Sequence, residues 1–472
     1  MRKLFVKAAL AAAGLLTAGA LAAPAAADKI FDRSPFYEKG ATTTDDVQRV
    51  PMPPDYNAPE GSFVLVGGRL FDGTGAAPRK ATVVVVGKTI TAILDPEDRN
   101  FPKDARVYDV SGKTVMPGLI DLHTHLTYVE AFGRPDALSA QNVADATLRG
   151  QYRMKVFVES GITSVRDVAS DGEVPFALKR WQAEGRIPGP RVFPAGQLIV
   201  GRGGHGTEHF MLKTAPDWPQ APVVEASGPD EWRDAVRLQF KRGADVIKLA
   251  SHYSQEEIDA AVAEAHALGL PVTVDAETQY IDMAIRAGVD VIEHPLPRTD
   301  KALELMAKNG IAAVPTLVPY KYISRLGGGY FGSTSRRFTL TEDSILQMLR
   351  KMKKLGIKIG VGTDLILDWI NYMPNAYIDE LKSLTEAGFT TREALVAATR
   401  TSAEILRMDD RLGTIEVGKL ADIIVVDGAP DENLDDLARV EQVFVNGRLT
   451  VHESRIHMER HQPVPAPQRK EE

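Results

Sequence analysis

The stretch GADVIKLASHYSQEEIDAAVAEAHALGLPVTVDA, residues 243–276, places two short apolar runs on either side of one helical pattern. The runs DVIKLA and PVTVDA have the length and the composition of buried strands. Between them, Ser254 and Glu257 have the spacing of a capping box, and Gly269 marks the end of the helix. A strand, a helix and a second strand in this order predict a βαβ unit with parallel strands.

The same alternation continues through most of the middle of the chain. The apolar runs, each separated from the next by a helix candidate, are VMPGLIDL, ITSVRDV, PRVFPA, DVIKLA, PVTVDA, DVIEH, IAAVP and IKIGVGT. Eight strand–helix units within about 300 residues are typical of a (β/α)8 TIM barrel, whose active site is lined by the carboxyl ends of the strands. We therefore predict an α/β fold of this kind for residues 116–412.

Both flanks of the predicted barrel are rich in short strands. SFVLVGGRLFDG and ATVVVVGKTITAIL precede it, ADIIVVDG and VEQVFVNGRLTV follow it, and glycine and aspartate turns punctuate all four. They predict one small β-sandwich domain formed by both chain termini, from residues 61–115 and 413–451. The polar residues 28–60 are expected to be an irregular leader, and residues 452–472 a solvated polar tail.

The first 27 residues have the pattern of a signal peptide. Basic MRKLFVK precedes the apolar run AALAAAGLLTAGALAA, and the small Ala25 and Ala27 suit cleavage before Asp28. The apolar run is short for a membrane span, and no later stretch is long and uncharged enough to be one. We expect a periplasmic or secreted protein of the Gram-negative type that leaves the membrane after cleavage. An uncleaved membrane anchor is the alternative.

Composition excludes several classes of site and partner. The chain contains no cysteine, so neither disulfides nor thiolate metal ligands are available. The net charge of −7 is mild and gives no reason to expect nucleic acid or an anionic membrane as a partner. The expected partner is a small-molecule substrate, and the composition is also compatible with a homo-oligomer.

Metal-binding side chains are predicted at the ends of four barrel strands. In DLHTHL, His123 and His125 are two residues apart, so their imidazoles project to the same side of the strand. Lys248 lies within an apolar run, and its amine either reaches out of the barrel or is buried and carboxylated to bridge two metals. His294 follows the sixth strand as an imidazole ligand, and Asp364 follows the eighth as a ligand and general base.

Eight motifs in this order resemble the amidohydrolase superfamily, and more closely its imidazolonepropionase-like and prolidase-like (Xaa-Pro dipeptidase-type) members. They are MPGLIDLHTH, GITSVRDV, GGHG, GADVIKL, EEIDAAVAEAHALGLPV, GVDVIEH, GVGTD and LGTIEVGKLADIIVVDG. The resemblance covers residues 62–450. It implies a metal-dependent barrel with a β-sandwich from both termini, which hydrolyses C–N or related bonds through a metal-bound hydroxide.

The resemblance also implies a role for each ligand candidate. His123 and His125 would hold one metal, carboxylated Lys248 would bridge, His294 would bind the second metal, and Asp364 would be both ligand and base. The family has two histidines two residues apart at the fifth strand, the first of them a ligand. This chain departs from that pattern, because Asp275 and Glu277 stand in those places.

Three interpretations of Asp275 remain open. In the first, Asp275 is a replacement metal ligand, which shifts the preference toward harder ions and weakens the Lewis acidity of the centre. In the second, the ammonium of uncarboxylated Lys248 pairs with Asp275 and leaves one metal on His123, His125 and Asp364. In the third, the chain binds no catalytic metal. The expected cofactor is one or two divalent ions per chain, Zn²⁺ first, with Mn²⁺ or Fe²⁺ as alternatives.

Further residues are candidates for substrate contact. The glycine-rich stretch IVGRGGHGTEHF follows the third strand, and its Arg202 is placed to grip a substrate carboxylate. The resemblance favours His205 as a substrate contact or proton donor. Tyr253 is predicted to steady a developing oxyanion, and Glu277 to contact substrate. The long aromatic segment 316–339 is expected to form a lid.

Together these patterns predict an exported metal-dependent amidohydrolase. We expect it to cleave the amide-type C–N bond of a small substrate such as a dipeptide or an N-acyl amino acid. A lactonase or cyclic amidase would use the same side chains. A metal-poor, non-catalytic binding protein is the alternative from a different class.

Overall fold

The computed structural model describes residues 60–128, 142–205, 207, 222–325, 341–365 and 367–458. The predicted signal peptide, nearly all of the predicted leader, most of the predicted lid and the end of the predicted tail lie outside these residues. None of the helices among the described residues has the length and apolar character needed to cross a membrane.

Strands and helices alternate through the middle of the chain, and strands predominate at both ends. The strands are β1 Ser62–Val66, β2 Arg69–Leu70, β3 Arg79–Lys80, β4 Thr82–Val86, β5 Thr89–Leu94, β6 Arg106–Asp109, β7 Thr114–Pro117, β8 Leu119–Thr124, β9 Ile162–Asp167, β10 Arg191–Pro194, β11 Leu198–Gly201, β12 Val223–Ala226, β13 Ile247–Ala250, β14 Val272–Asp275, β15 Val291–Glu293, β16 Ala312–Val314, β17 Ile423–Val426, β18 Val440–Val445, β19 Arg448–His452 and β20 Arg455–Ile456. The α-helices are α1 Val143–Glu159, α2 Val174–Ala183, α3 Pro229–Arg242, α4 Gln255–Ala267, α5 Gln279–Ala287, α6 Asp300–Lys308, α7 Leu317–Arg325, α8 Glu342–Lys354, α9 Asn375–Glu386, α10 Thr391–Val396 and α11 Ser402–Ile405. Shorter helical turns are Leu367–Tyr372, Ala397–Thr401 and Leu434–Arg439.

The barrel strands form two parallel sheets that are joined to each other by backbone hydrogen bonds. β8 pairs with β9 and β9 with β10, while β11, β13, β14, β15 and β16 pair in that order. The third barrel strand is interrupted and consists of β10 followed by β11. At the end of β10, Pro194 O accepts a hydrogen bond at 2.9 Å from Asp245 N, which lies just before β13. An eighth segment bridges to β16 at Ile359, and Leu122 N donates to Val361 O at 2.8 Å, which joins this segment to β8. The predicted (β/α)8 barrel is thereby confirmed.

Glycine lets the eighth segment approach the first strand closely. A Cβ at Gly362 would lie only 2.7 Å from the Cβ of His123, so a larger residue would push the two segments apart. The predicted run IKIGVGT is joined to its neighbours by separate backbone hydrogen bonds and one bridge, and not by a continuous ladder of strand pairs. The close approach places Asp364 directly beside His123, with Asp364 N donating to His123 O at 2.8 Å.

The β-sandwich contains strands from both ends of the chain, as predicted. One sheet has the order β5-β4-β1-β6, and the other has the order β20-β19-β18-β17-β7-β2-β3. β7 pairs antiparallel with β17, and between the sheets the rings of Phe63 and Phe444 stack with centroids 4.4 Å apart. The predicted boundary at residue 115 falls inside β7. The hairpin of β19 and β20 reaches Ile456, so the start of the predicted tail is wrong, because left-handed Glu453 and Ser454 turn the chain back.

The quoted βαβ unit forms where it was predicted. Ser254 and Glu257 make the capping box at the start of α4, each side chain bonding to the backbone of the other residue. Lys248 pairs with Thr273 across the parallel strands β13 and β14. One difference concerns the stretch after the third strand, which is not all loop. Its first residues form β11, which is hydrogen-bonded to β13.

Candidate metal centre

Polar side chains from three strand ends converge inside the mouth of the barrel. A nitrogen of His123, a nitrogen of His294 and a carboxylate oxygen of Asp364 all lie within 4.8 Å of one another, and all three residues are buried. His125 joins them, because its Nε2 lies 3.0 Å from Asp364 Oδ1. The structure thus brings together four of the predicted metal ligands.

Left-handed backbone at the strand ends makes this convergence possible. The φ angles are 64° at His294, 47° at Thr316 and 46° at Asp364, where residues other than glycine are uncommon. A regular strand would send Glu293 and His294 to opposite faces of the sheet. The turn at His294 instead lets both side chains reach the barrel interior. Such strained conformations persist only where surrounding contacts hold them.

Both histidines of the first strand present Nε2 to the cluster. His123 Nδ1 lies 2.8 Å from Glu293 Oε2, and His125 Nδ1 lies 3.1 Å from the carbonyl oxygen of Ala169. With Nδ1 engaged by an acceptor, the Nε2 lone pair of a neutral imidazole is free for a metal. Burial, reinforced by nearby Lys248, holds the pKa of His123 well below its ordinary value, which favours the neutral form.

Lys248 has a buried amine with no partner. The residue is 3% exposed, and its Nζ has no hydrogen-bond partner among the residues that the structure describes. Burial lowers the pKa of Lys248, although Glu293 and Asp275 act to raise it. No hydrogen bond or ion pair joins Lys248 to Asp275 among the described residues, so the geometry does not favour the second interpretation of Asp275. An unpaired buried amine fits the form that can be carboxylated.

Asp275 lies between two histidines instead. Its Oδ2 is 3.5 Å from Nε2 of His294 and 3.5 Å from Nε2 of His205. Burial raises the pKa of Asp275, but His294, His205 and Lys248 together outweigh it and hold this pKa far below its ordinary value. The carboxylate is thus ionised next to a candidate metal ligand.

Asp364 is held ionised in the same way. Burial raises its pKa, but the neighbouring imidazoles of His123, His125 and His294 outweigh that effect and lower the pKa. Oδ1 faces the first-strand histidines, whereas Oδ2 lies 3.7 Å from His294 Nδ1. Asp364 therefore touches all three imidazoles of the cluster.

The predicted substrate residues are placed less uniformly. Arg202 is exposed in the turn after β11, and the side chain of His205, 30% exposed, contacts Asp275 at the barrel mouth. Glu277 is buried just beyond β14. The hydroxyl of Tyr253 donates to the carbonyl oxygen of Tyr280 at 2.9 Å, so its single proton is committed to the backbone. The predicted role of Tyr253 in steadying an oxyanion is therefore not supported.

Two carboxylates that support the site were missed in the sequence. Glu293 holds His123, and Asp121 accepts hydrogen bonds from His123 N at 3.1 Å and Thr363 N at 3.0 Å, which ties the first strand to the eighth segment. Both could have been noticed in the sequence as acidic residues inside apolar runs. Glu293 directly precedes His294, and Asp121 lies two positions before His123. Burial raises the pKa of Asp121 to about 7 against these hydrogen bonds.

The donor set fits a divalent metal ion. Imidazole nitrogen and carboxylate oxygen suit Zn²⁺, Mn²⁺ and Fe²⁺, and each histidine has its other nitrogen engaged, as is usual for metal ligands. The unpaired amine of Lys248 supplies one further group that a carbamate would convert into an anionic ligand. The residues present therefore fit one metal ion and leave room in the donor set for a second.

Comparison with known proteins identifies the family. The model of the amidohydrolase family matches residues 114–450. The chain belongs to the amidohydrolase family. Ochratoxinase of Aspergillus niger is 28% identical over 431 residues, covering 82% of this chain and 86% of the relative. Imidazolonepropionase of Brevibacillus brevis is 25% identical over 389 residues, which cover 76% of this chain and 86% of the relative. A solved Xaa-Pro dipeptidase with methionine bound in its active site has a TM-score of 0.71 and 28% identity, and covers 82% of this chain and 99% of its own.

Membership fixes the class of chemistry. Amidohydrolases of this kind hydrolyse C–N bonds and are generally metal-dependent, and this amidohydrolase is a hydrolase of that class. The resemblance to imidazolonepropionase-like and prolidase-like proteins seen in the motifs is confirmed.

Proposed function

We propose that this amidohydrolase is an exported enzyme that cleaves the amide-type C–N bond of a dipeptide or an N-acyl amino acid. The observation that carries the proposal is the convergence of His123, His294 and Asp364, with His125 alongside, at the carboxyl ends of the barrel strands. The named activities of the relatives, a dipeptidase and ochratoxinase, support an amide substrate with an amino-acid part.

Two sets of residues would hold the metal. His123, His125 and Asp364 form the first set, and His294, Asp275 and carboxylated Lys248 form the second. A bound divalent ion would polarise the scissile carbonyl and lower the pKa of an attacking water. We propose Zn²⁺ as the native ion; the oxygen ligand at Asp275 makes Mn²⁺ and Fe²⁺ the alternatives.

Asp364 is placed to move the proton. Its carboxylate lies against the imidazoles of the proposed metal site, so it would be within reach of a proton of the attacking water. Oδ1 faces His123 and His125, the proposed first metal set, which leaves Oδ2 as the atom that would take the proton. The same oxygen would then deliver it to the leaving nitrogen, since the departing amine needs a proton that the water has just lost.

The mouth residues would orient the substrate. His205 is partly exposed and contacts Asp275, so it can meet a substrate that enters from solvent. Arg202 is exposed on the same loop and suits the carboxylate of a dipeptide or N-acyl amino acid. Ionised Asp275 adds one negative charge where the family has a neutral histidine. We expect this charge to raise the pKa of the attacking water and move the rate profile to higher pH.

Activity assays on the mature chain, residues 28–472, test the proposal. Dipeptides, N-acyl amino acids and lactones should be offered to protein whose bound metal has been quantified. We expect amide hydrolysis that is lost on chelation, restored by the metal, and about 100- to 10,000-fold slower in D364N. The matched control is D435N, because Asp435 is an exposed carboxylate that forms its ion pair among the described residues with Lys382. A metal-loaded protein that cleaves lactones but no amide would refute the assignment.

Export is tested separately. The first 27 residues should direct the chain out of the bacterial cytoplasm and be absent from the exported form. Mass spectrometry of the exported protein should give an N-terminus at Asp28. Retention of the full-length chain in the cytoplasm would contradict this part of the proposal.

A further inference from the structure

Glu293 is a fully buried carboxylate at the end of β15, and both of its oxygens are used. Oε2 accepts from His123 Nδ1 at 2.8 Å. Oε1 accepts from Arg166 Nη2 at 2.5 Å and from the hydroxyl of Thr273. Arg166 neutralises the charge of Glu293, so the carboxylate needs no metal of its own. One oxygen therefore serves the ion pair, and the other serves the imidazole.

We propose that Glu293 is a positioning residue that fixes the Nδ1–H tautomer of His123 and thereby aims its Nε2 lone pair at the metal centre. An acceptor at Nδ1 places the single proton of a neutral imidazole there, so Nε2 must carry the lone pair. The inference rests on the metal centre of the proposed function. It adds Glu293 as a residue that does not bind the metal itself but determines whether His123 can bind it.

The contacts around Glu293 are arranged for this role. Arg166 also donates through Nε to the carbonyl of Leu122 at 2.6 Å, so the same guanidinium holds the strand residue directly before His123. The acid and the imidazole are therefore fixed against each other from both sides. His125 depends on a backbone carbonyl for the same task, which leaves His123 as the first-strand histidine whose orientation depends on a side chain.

A second contact fixes the backbone at Glu293. Arg298 Nη2 donates to the carbonyl oxygens of Glu293 at 2.9 Å and His294 at 2.7 Å. These bonds hold the left-handed turn at His294, which is what lets two consecutive residues face the barrel interior. One corner of the chain thus supplies both a candidate metal ligand and the group that orients another.

The variant E293Q perturbs the tautomer with almost no change in shape. An amide offers one acceptor oxygen where the carboxylate offers two. Charged Arg166 is the stronger donor and should take that oxygen, so the NH₂ group would face His123 Nδ1. Nδ1 must then become the acceptor and the proton moves to Nε2, where it blocks metal binding. We expect metal affinity to fall about 10–100-fold in E293Q.

The matched control is T273V, which removes one of the two donors to Oε1 and leaves the contacts of Glu293 with Arg166 and His123 intact. Metal dissociation constants should be measured by chelator competition with Zn²⁺, without substrate. ¹⁵N spectra of histidine-labelled, metal-free protein should show His123 as the Nδ1–H tautomer in the wild type and T273V, and as Nε2–H in E293Q. The His123 signal is assigned by its loss in H123Q.

Three results would overturn the inference. They are a wild-type His123 in the Nε2–H tautomer, a folded E293Q that keeps the Nδ1–H tautomer, and a folded E293Q that binds Zn²⁺ as tightly as T273V. If E293Q fails to fold, the wild-type spectrum alone decides. A wrong substrate class leaves these measurements unchanged. A wild type that binds no Zn²⁺ would end the proposed function, while the tautomer would still test the positioning.

Discussion

Replacing Lys248 with methionine should stabilise the metal-free protein and weaken its metal centre. Lys248 is 3% exposed, and its amine finds no hydrogen-bond partner among the described residues. Glu293 is taken by Arg166, and Asp275 lies against two histidines, so neither carboxylate bonds to the amine. Methionine has a similar length and no polar end, so K248M removes the unpaired group without opening a cavity.

The size of the gain follows from the cost of an unpaired polar group. A buried donor without a partner costs about 1–3 kcal/mol, so the free energy of unfolding of K248M should exceed that of the wild type by about that amount near neutral pH. Because burial lowers the pKa of Lys248 below 10.5, the unfolded wild type binds more protons than the folded protein up to that pH. Wild-type stability should therefore rise with pH in this window, and the advantage of K248M should shrink.

Urea unfolding of chelator-treated protein in CO₂-free buffer measures both effects. K321M is the matched control. Lys321 is equally buried, but its amine bonds to Ser383 at 3.0 Å and Glu386 at 2.9 Å, so this variant should be less stable than the wild type. A K248M that is also destabilised, or whose difference from the wild type does not shrink toward alkaline pH, would refute the reasoning. Metal analysis should show fewer ions bound to K248M than to the wild type.

Three further substitutions test the site and the core. D275H places a neutral ligand at this position, so it should raise the preference for Zn²⁺ over Mn²⁺ and move the acidic limb of the pH–rate profile to lower pH. An unchanged metal preference in Zn²⁺/Mn²⁺ competition, together with an unchanged pH–rate profile, would count against Asp275 as a ligand. D364N should lower kcat/KM about 100- to 10,000-fold, and an active variant would exclude Asp364 as the base. W232A should lower the free energy of unfolding by about 3–5 kcal/mol in urea, because Trp232 is fully buried and bonds to Ala226 O at 3.2 Å; a smaller loss would show that the core closes over the cavity.

The barrel could be predicted because its strands are short apolar runs that depend on burial alone. DVIKLA and PVTVDA became β13 and β14, and the capping box between them set the start of α4. The ligand candidates followed from the same prediction, since parallel strands bring their carboxyl ends to one mouth. Nothing in this step required knowledge of side-chain contacts.

The supporting contacts could not be predicted, because they depend on backbone turns that residue type does not specify. Strict alternation would direct Glu293 away from the site that His294 enters, and only the positive φ at His294 removes that conflict. The expected ion pair of Lys248 with Asp275 is not seen either. The two residues lie on adjacent strands, but Asp275 lies against two histidines, and the amine of Lys248 has no hydrogen-bond partner among the described residues. Tyr253 was assigned a free hydroxyl that the Tyr280 carbonyl takes.

The distribution of buried charges in the barrel argues against the interpretation in which the chain binds no catalytic metal. Glu293 is balanced by Arg166, whereas the nearest groups to the buried carboxylates of Asp275 and Asp364 among the described residues are imidazoles, and Lys248 adds a smaller attraction to Asp275. Burying two such carboxylates is costly unless cations meet them, and apolar residues of similar volume would be more stable in a metal-free barrel. The same argument applies to Lys248, which is basic. A buried amine without a hydrogen-bond partner destabilises the fold, and its position is explained if the amine is carboxylated and serves as a metal ligand. As a proposed ligand, Asp275 would therefore make the centre more dependent on a divalent ion than a histidine would.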